Sequence, residues 1–186
     1  MLTLKSRITE GPVCRGRLKT NVMKQLKKII EYAELSESEL SAEDLMLVNN
    51  AKCATSASYS PFSHFSVGAA VLLANGEVVK GCNQENDAFP SGLCAERTAI
   101  FSAGAQFPDI PITAIAIAAF SDGDFLDDPI TPCGACAQVM FQVERKFADS
   151  NLKLKIILYG KKRTFILNSV ESLLPFSFKL DSDIKK

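Results

Sequence analysis

The residues of this sequence best suited to chemistry are Cys94, Cys133 and Cys136, with Glu96 and Arg97 beside the first of them. In "TPCGAC", Cys133 and Cys136 form a C-x-x-C pair at the predicted start of a helix. Such a pair serves either as a redox dithiol, its thiol pKa lowered by the helix N-terminus, or as two ligands of a tetrahedral zinc ion. Cys94, in "GLCAERTAI", opens another predicted helix one strand earlier. In a layered sheet, successive strand-to-helix junctions can lie on one edge and face one another. Three thiolates then converge and leave the fourth zinc position open, which describes a catalytic site rather than a structural one.

Glu96 lies on the first turn of the helix opened by Cys94. A carboxylate there can take a proton from a metal-activated water and deliver it to a leaving group. Its plainer role is that of a first-turn acid offsetting the helix dipole. Three thiolates on Zn²⁺ leave a net charge of −1, which blunts the metal's power to acidify water. A guanidinium at Arg97 that donates to the ligand sulfurs would restore that power; otherwise it is a solvated arginine on a helix face.

The elements that must position these side chains follow from patterning. Apolar residues at 22, 26, 29, 30 and 33 predict a helix over 23–35, and Ser41 with Asp44 marks the N-cap of a second, running to about Ala57. Residues 65–74 and 77–81 read as strands joined by the turn signal Asn75-Gly76. A helix over 93–105 leads into a strand over 112–120 that is apolar on both faces, as a central strand is. Thr131 as N-cap and Pro132 as first residue start the next helix. Strands over 152–160 and 163–168 follow, separated by too few residues for a parallel crossover, so they pair antiparallel. The order is that of an α/β protein, a three-layer α-β-α sandwich around a mixed five-stranded sheet. Residues 1–22, rich in Arg and Lys with one acid, form an N-terminal extension, poorly ordered and either a targeting leader or a stretch upstream of an internal start at Met23. Residues 23–186 make a single domain.

Composition narrows the partners. The chain has 186 residues, 47% of them hydrophobic, with 21 basic and 21 acidic residues and a formal net charge of zero. A polynucleotide binder would carry a basic surplus, so a neutral small molecule is the expected partner and nucleic acid is not. No apolar run is long enough to span a bilayer and no signal peptide is evident, which points to a reducing cytoplasm where clustered cysteines are ligands or reactive thiols rather than cystines.

"CAERTA" (94–99) followed by "PCGACAQV" (132–139) closely resembles the zinc-dependent cytidine deaminases of the three-cysteine, homotetrameric type. "YSPFSHFSVGAAV" (59–71), "NGEVVKGCNQENDAF" (75–89) and "LLPFSF" (173–178) are similar to that family's first core strand, hairpin with substrate loop, and C-terminal segment. The resemblance implies one Zn²⁺ per chain on Cys94, Cys133 and Cys136, Glu96 as proton shuttle and Arg97 bonded to the ligand sulfurs. It implies Asn83 and Glu85 on the ribose hydroxyls, Ala95 contacting the pyrimidine through its backbone, and Phe65 packed on the base. Phe178 resembles the aromatic that reaches into a neighbouring subunit's site, with Phe176 as the alternative. The family often has Tyr at the position of Phe89, so a hydroxyl is missing there. The activity implied is hydrolytic deamination of cytidine and 2'-deoxycytidine within pyrimidine salvage, by a cytoplasmic homotetramer with shared sites. In the wider deaminase fold an antiparallel last pair of strands belongs to nucleoside enzymes, and a parallel pair to enzymes that edit polynucleotides.

The other candidates read as structural. His64, the one histidine, is assigned to a strand edge or the surface; Cys82 to a buried hydrophobe, and Cys53 and Cys14 to no function. The acidic run 121–128 is a solvated loop without calcium-site spacing. Three rival functions remain: a blasticidin-S deaminase, a non-catalytic zinc-binding protein on the same fold, and a thiol-redox protein.

Overall fold

The computed structural model describes residues 25–147 and 152–179. The extension 1–22 lies outside them. Seven strands form one sheet: β1 (Ala33–Leu35), β2 (Ser66–Leu73), β3 (Val78–Cys82), β4 (Ile112–Ser121), β5 (Asp124–Phe125), β6 (Lys155–Leu158) and β7 (Thr164–Leu167). Their order is β1-β7-β6-β4-β2-β3, with β5 pairing on the end of β4. Among the described strands only β4 and β6 pair in parallel; β6 and β7 are antiparallel, as the short link between them requires.

Alternation along β4 explains the layers. Ala114, Ala116 and Ala118 face α1 (Ala42–Ala54), together with Ala70, Leu72 and Ile157. Ile115, Ile117 and Ala119 face the opposite layer, formed by α2 (Ala95–Gln106) and α3 (Gly134–Lys146). A strand buried on both faces reads as a continuous apolar run, and "ITAIAIAAF" is such a run. The α-β-α sandwich is therefore present, and its central five strands are those expected. Two short strands, β1 and β5, are added to them.

Local signals account for most boundaries. Ser41 caps α1 by accepting from the Asp44 N–H at 3.1 Å. The Asn75-Gly76 turn closes with Gly76 at φ 88°, a left-handed conformation that glycine adopts without strain, and with its N–H donating to Leu73 O at 2.9 Å. Two expectations fail. Residues 25–32 form no helix, and Leu26 and Ile29 are 79% and 83% exposed, with no apolar surface among the described residues covering them. The chain instead extends so that Ala33–Leu35 can pair with β7. Nor does Thr131 cap α3: the cap is Cys133, whose carbonyl accepts from the Ala137 N–H at 2.9 Å.

Candidate metal centre and active site

Cys94 is the N-cap of α2, and Cys133 is the N-cap of α3. Neither sulfur caps its own helix. Both are turned to a common point, where the Cys94 and Cys133 sulfurs lie 3.9 Å apart and the Cys133 and Cys136 sulfurs 3.5 Å apart. All three sulfurs fall within 4.8 Å of one another. A tetrahedral zinc ion with Zn–S bonds of about 2.3 Å would hold its sulfurs about 3.8 Å apart, so the donor set fits zinc in chemistry and in spacing. The positive ends of both helix dipoles add to the field that favours thiolates there.

Two close approaches bring these helix starts together. At Gly81 in β3, a Cβ would lie 2.3 Å from the Ala99 nitrogen and 2.7 Å from the Ala95 carbonyl oxygen. Only a bare backbone lets α2 sit this close to the sheet. Gly160 does the same for the segment that leads to Cys133, where a Cβ would lie 2.6 Å from the Pro129 nitrogen. That segment is also held by hydrogen bonds from the Lys161 and Lys162 N–H groups to the Leu126 and Asp127 carbonyls, both 2.9 Å. Ion pairs link Asp124, Asp127 and Asp128 with Lys161, Lys162 and Arg163. The acidic loop is thus paired with a basic turn.

Charge is distributed unevenly across the cluster. Arg97 Nη2 donates to Cys94 Sγ at 3.8 Å, and the Cys136 sulfur lies within 4.8 Å of it. The Cys136 thiol and that guanidinium hold the Cys94 thiol far below its ordinary range, at about 5, against the opposing effect of burial. Cys136, beside Cys94 and fully buried, is pushed up. Glu96 is 4% exposed, and burial raises its carboxyl pKa, with the Cys94 charge adding to the shift. Arg97 Nε is buried with no partner among the described residues, although its Nη2 meets Cys94.

Beside the sulfurs opens a cavity of ≈ 320 Å³ bordered by Asn83, Glu85, Phe89, Leu93, Cys94 and Arg97. The Asn83 carboxamide is mostly engaged. Its Oδ1 accepts from Ser58 Oγ at 2.5 Å and from the Val67 N–H at 2.8 Å, and its Nδ2 donates to Phe65 O at 2.9 Å. Among the described residues its second amide proton has no acceptor. Glu85 Oε2 accepts from the Phe62 and Ser63 N–H groups at 2.9 and 3.2 Å. A side-chain hydrogen bond from Ser63 and those amides hold its carboxyl below the usual range.

Phe65, half-buried before β2, packs against the main core, and Ala95 is fully buried at the start of α2. Phe178 is 69% exposed, apart from the residues that border the cavity. The exposed His64 sits in a left-handed turn at φ 53°. Cys82 is half-buried rather than buried, and its thiol donates to Ala57 O at 3.1 Å. Sequence reasoning missed Ser58 and Gly81, whose roles depend on partners remote in the chain. A glycine inside an otherwise regular strand was the one signal available for the second.

Comparison with known proteins agrees with this geometry. The family model for the cytidine and deoxycytidylate deaminase zinc-binding region matches residues 41–148. A cytidine deaminase of Sporosarcina psychrophila is 36% identical over 132 residues, which is 71% of this chain and 88% of that protein. The crystal structure of cytidine deaminase from Burkholderia pseudomallei matches with a TM-score of 0.61 and 36% identity, covering 75% of this chain and all of that one. Cytidine deaminase from Mycobacterium tuberculosis matches with a TM-score of 0.55 and 32% identity over 73% of this chain and 96% of its own. Since the matched stretch contains all three converging cysteines, the chain belongs to the cytidine and deoxycytidylate deaminase family of zinc-binding proteins.

Proposed function

We propose that the protein hydrolyses cytidine and 2'-deoxycytidine to uridine and 2'-deoxyuridine with release of ammonia. The observation that carries this is the buried Glu96 beside a three-thiol cluster built on two helix N-termini, in a chain whose named relatives are cytidine deaminases. Bound by Cys94, Cys133 and Cys136, zinc would supply the Lewis acidity that turns water into a nucleophile near neutral pH. Glu96 takes one proton of the water as its oxygen bonds to C4 of the pyrimidine and passes it to N3. It then takes the second from the C4 hydroxyl and gives it to the exocyclic nitrogen, so that C4=O forms, the C4–N bond breaks and ammonia leaves. Burial raises the Glu96 carboxyl pKa toward the range in which one group both accepts and releases protons efficiently. The Arg97 guanidinium offsets the charge of the thiolates.

Asn83 and Glu85 hold the ribose hydroxyls, which separates a nucleoside from free cytosine. The Ala95 backbone contacts the pyrimidine, and Phe65 packs on the base. Phe178 completes the site of a neighbouring subunit in a homotetramer, and the enzyme works in the cytoplasm on free nucleosides. The antiparallel β6–β7 pair and the zero net charge support a nucleoside over a polynucleotide.

Zinc analysis joined to an ultraviolet assay of cytidine tests the reading. Wild type should carry one zinc per chain and turn over cytidine in preference to blasticidin S. Glu96→Ala should keep the zinc and lose roughly 10²- to 10⁴-fold in rate, the range for a general acid–base group. A cytidine-dependent absorbance change of equal rate in Glu96→Ala would refute it. Light scattering after size exclusion tests the tetramer.

A further inference from the structure

The segment after β7 runs back along α3 and is fastened to it at both ends. Near the C-terminal end of the helix, Glu144 accepts from Ser169 Oγ at 3.2 Å and from the Val170 N–H at 3.3 Å. Near its N-terminal end, Gln138 donates from Nε2 to Phe178 O at 3.0 Å and accepts at Oε1 from the Phe178 N–H at 3.1 Å. Between them, Lys179 Nζ stands 5.4 Å from the centre of the Phe141 ring. Residues 138, 141 and 144 are spaced along one face of a helix. The two bonds of Gln138 reproduce those that one peptide group gives and accepts in a β-ladder, so both main-chain groups of Phe178 are fixed to a residue two places beyond Cys136. Phe176 is 92% exposed, and among the described residues no comparable bond fastens its main chain.

We propose that Gln138 is a positioning residue, whose carboxamide fixes the Phe178 backbone against α3 and so selects Phe178, not Phe176, as the aromatic that contributes to nucleoside binding. The proposal rests on the deaminase reading only in its kinetic consequence. Backbone position is set by Gln138; the ring supplies contact area to the substrate. Loss of the clamp therefore weakens binding in ground and transition states alike, which raises KM with little change in kcat.

The chain contains no tryptophan, so Phe178→Trp introduces a single fluorophore at the clamped position. In that background, Gln138→Ala should lower the steady-state anisotropy and increase quenching by acrylamide. Alanine suits a helix interior, so the fold should be retained, with unchanged zinc content. With phenylalanine restored at 178, Gln138→Ala should raise the KM for cytidine roughly five- to 100-fold, the weight of the two hydrogen bonds lost. It should add no further loss to Phe178→Ala. Unchanged anisotropy, or losses from Gln138→Ala and Phe178→Ala that multiply, would overturn the assignment. Fluorescence needs no substrate, so a wild type without cytidine turnover would instead overturn the deaminase reading.

Discussion

Arg97 Nη2 donates to the Cys94 sulfur at 3.8 Å. On the proposed function that guanidinium offsets thiolate charge, and without it a zinc-bound water would be acidified less. Arg97→Gln should therefore move the acidic limb of the pH–rate profile upward. It should weaken retention of zinc against a chromogenic chelator, by roughly 10- to 100-fold as for other outer-shell partners. An unshifted limb with unchanged zinc retention would assign Arg97 to packing alone. At this scale the sequence was most legible, because few residue types can ligate zinc and their spacing is short. Cys133 and Cys136 lie within one helical turn, and Glu96 is two residues from Cys94. Gln138 was illegible for the opposite reason. A glutamine on a half-exposed helix face is ordinary until its partner, 40 positions away, is brought against it.

Among the elements, the buried end of α3 is held by one carboxylate. Burial alone would raise the Glu144 carboxyl pKa, but Lys153 and the Leu154 and Val170 N–H groups outweigh it and leave the pKa lowered. A carboxyl lowered in the folded state contributes stability above its unfolded value, here 4.5, and loses that contribution as pH falls through the folded value. Glu144→Gln should cost about 1–3 kcal/mol at pH 7, and its urea midpoint should fall less than that of wild type between pH 5 and pH 3. Gly81→Ala should cost about 1–3 kcal/mol by overpacking and weaken zinc binding too, since α2 must shift and carries Cys94 with it. Denaturation midpoints and chelator competition read both effects. The elements that sequence patterning placed correctly are those whose apolar faces meet a core: "ITAIAIAAF" is sandwiched by two helix layers. The segment 23–35 has helical spacing, but its described residues Leu26 and Ile29 are exposed rather than packed on a core, and the open side of β7 captured Ala33–Leu35 as a strand instead. Isolated helical propensity is weak against an unpaired ladder.

For the whole molecule, the thiol cluster joins α2 to α3 across the sheet edge. A metal bound only by the folded chain stabilises it by mass action. Removing zinc with a chelator should lower the melting temperature, and re-addition at about 1,000 times the dissociation constant should restore about 4 kcal/mol. The balanced charge predicts no gel shift of single-stranded DNA at 0.15 M salt. Among the described residues no helix is long and apolar enough to cross a membrane.

Leu35 pairs with Thr164, so β1 leaves the ribosome long before its partner, while every candidate zinc ligand is synthesised between them. On a growing chain, the cluster is complete before either of the two strands that meet at the β1–β7 seam has its partner. A released chain that ended just short of β7 would then have its cysteines gathered and a raw ladder on β6, a template for chain-to-chain pairing. Such truncated chains should aggregate sooner than chains that extend through β7, which closes that edge.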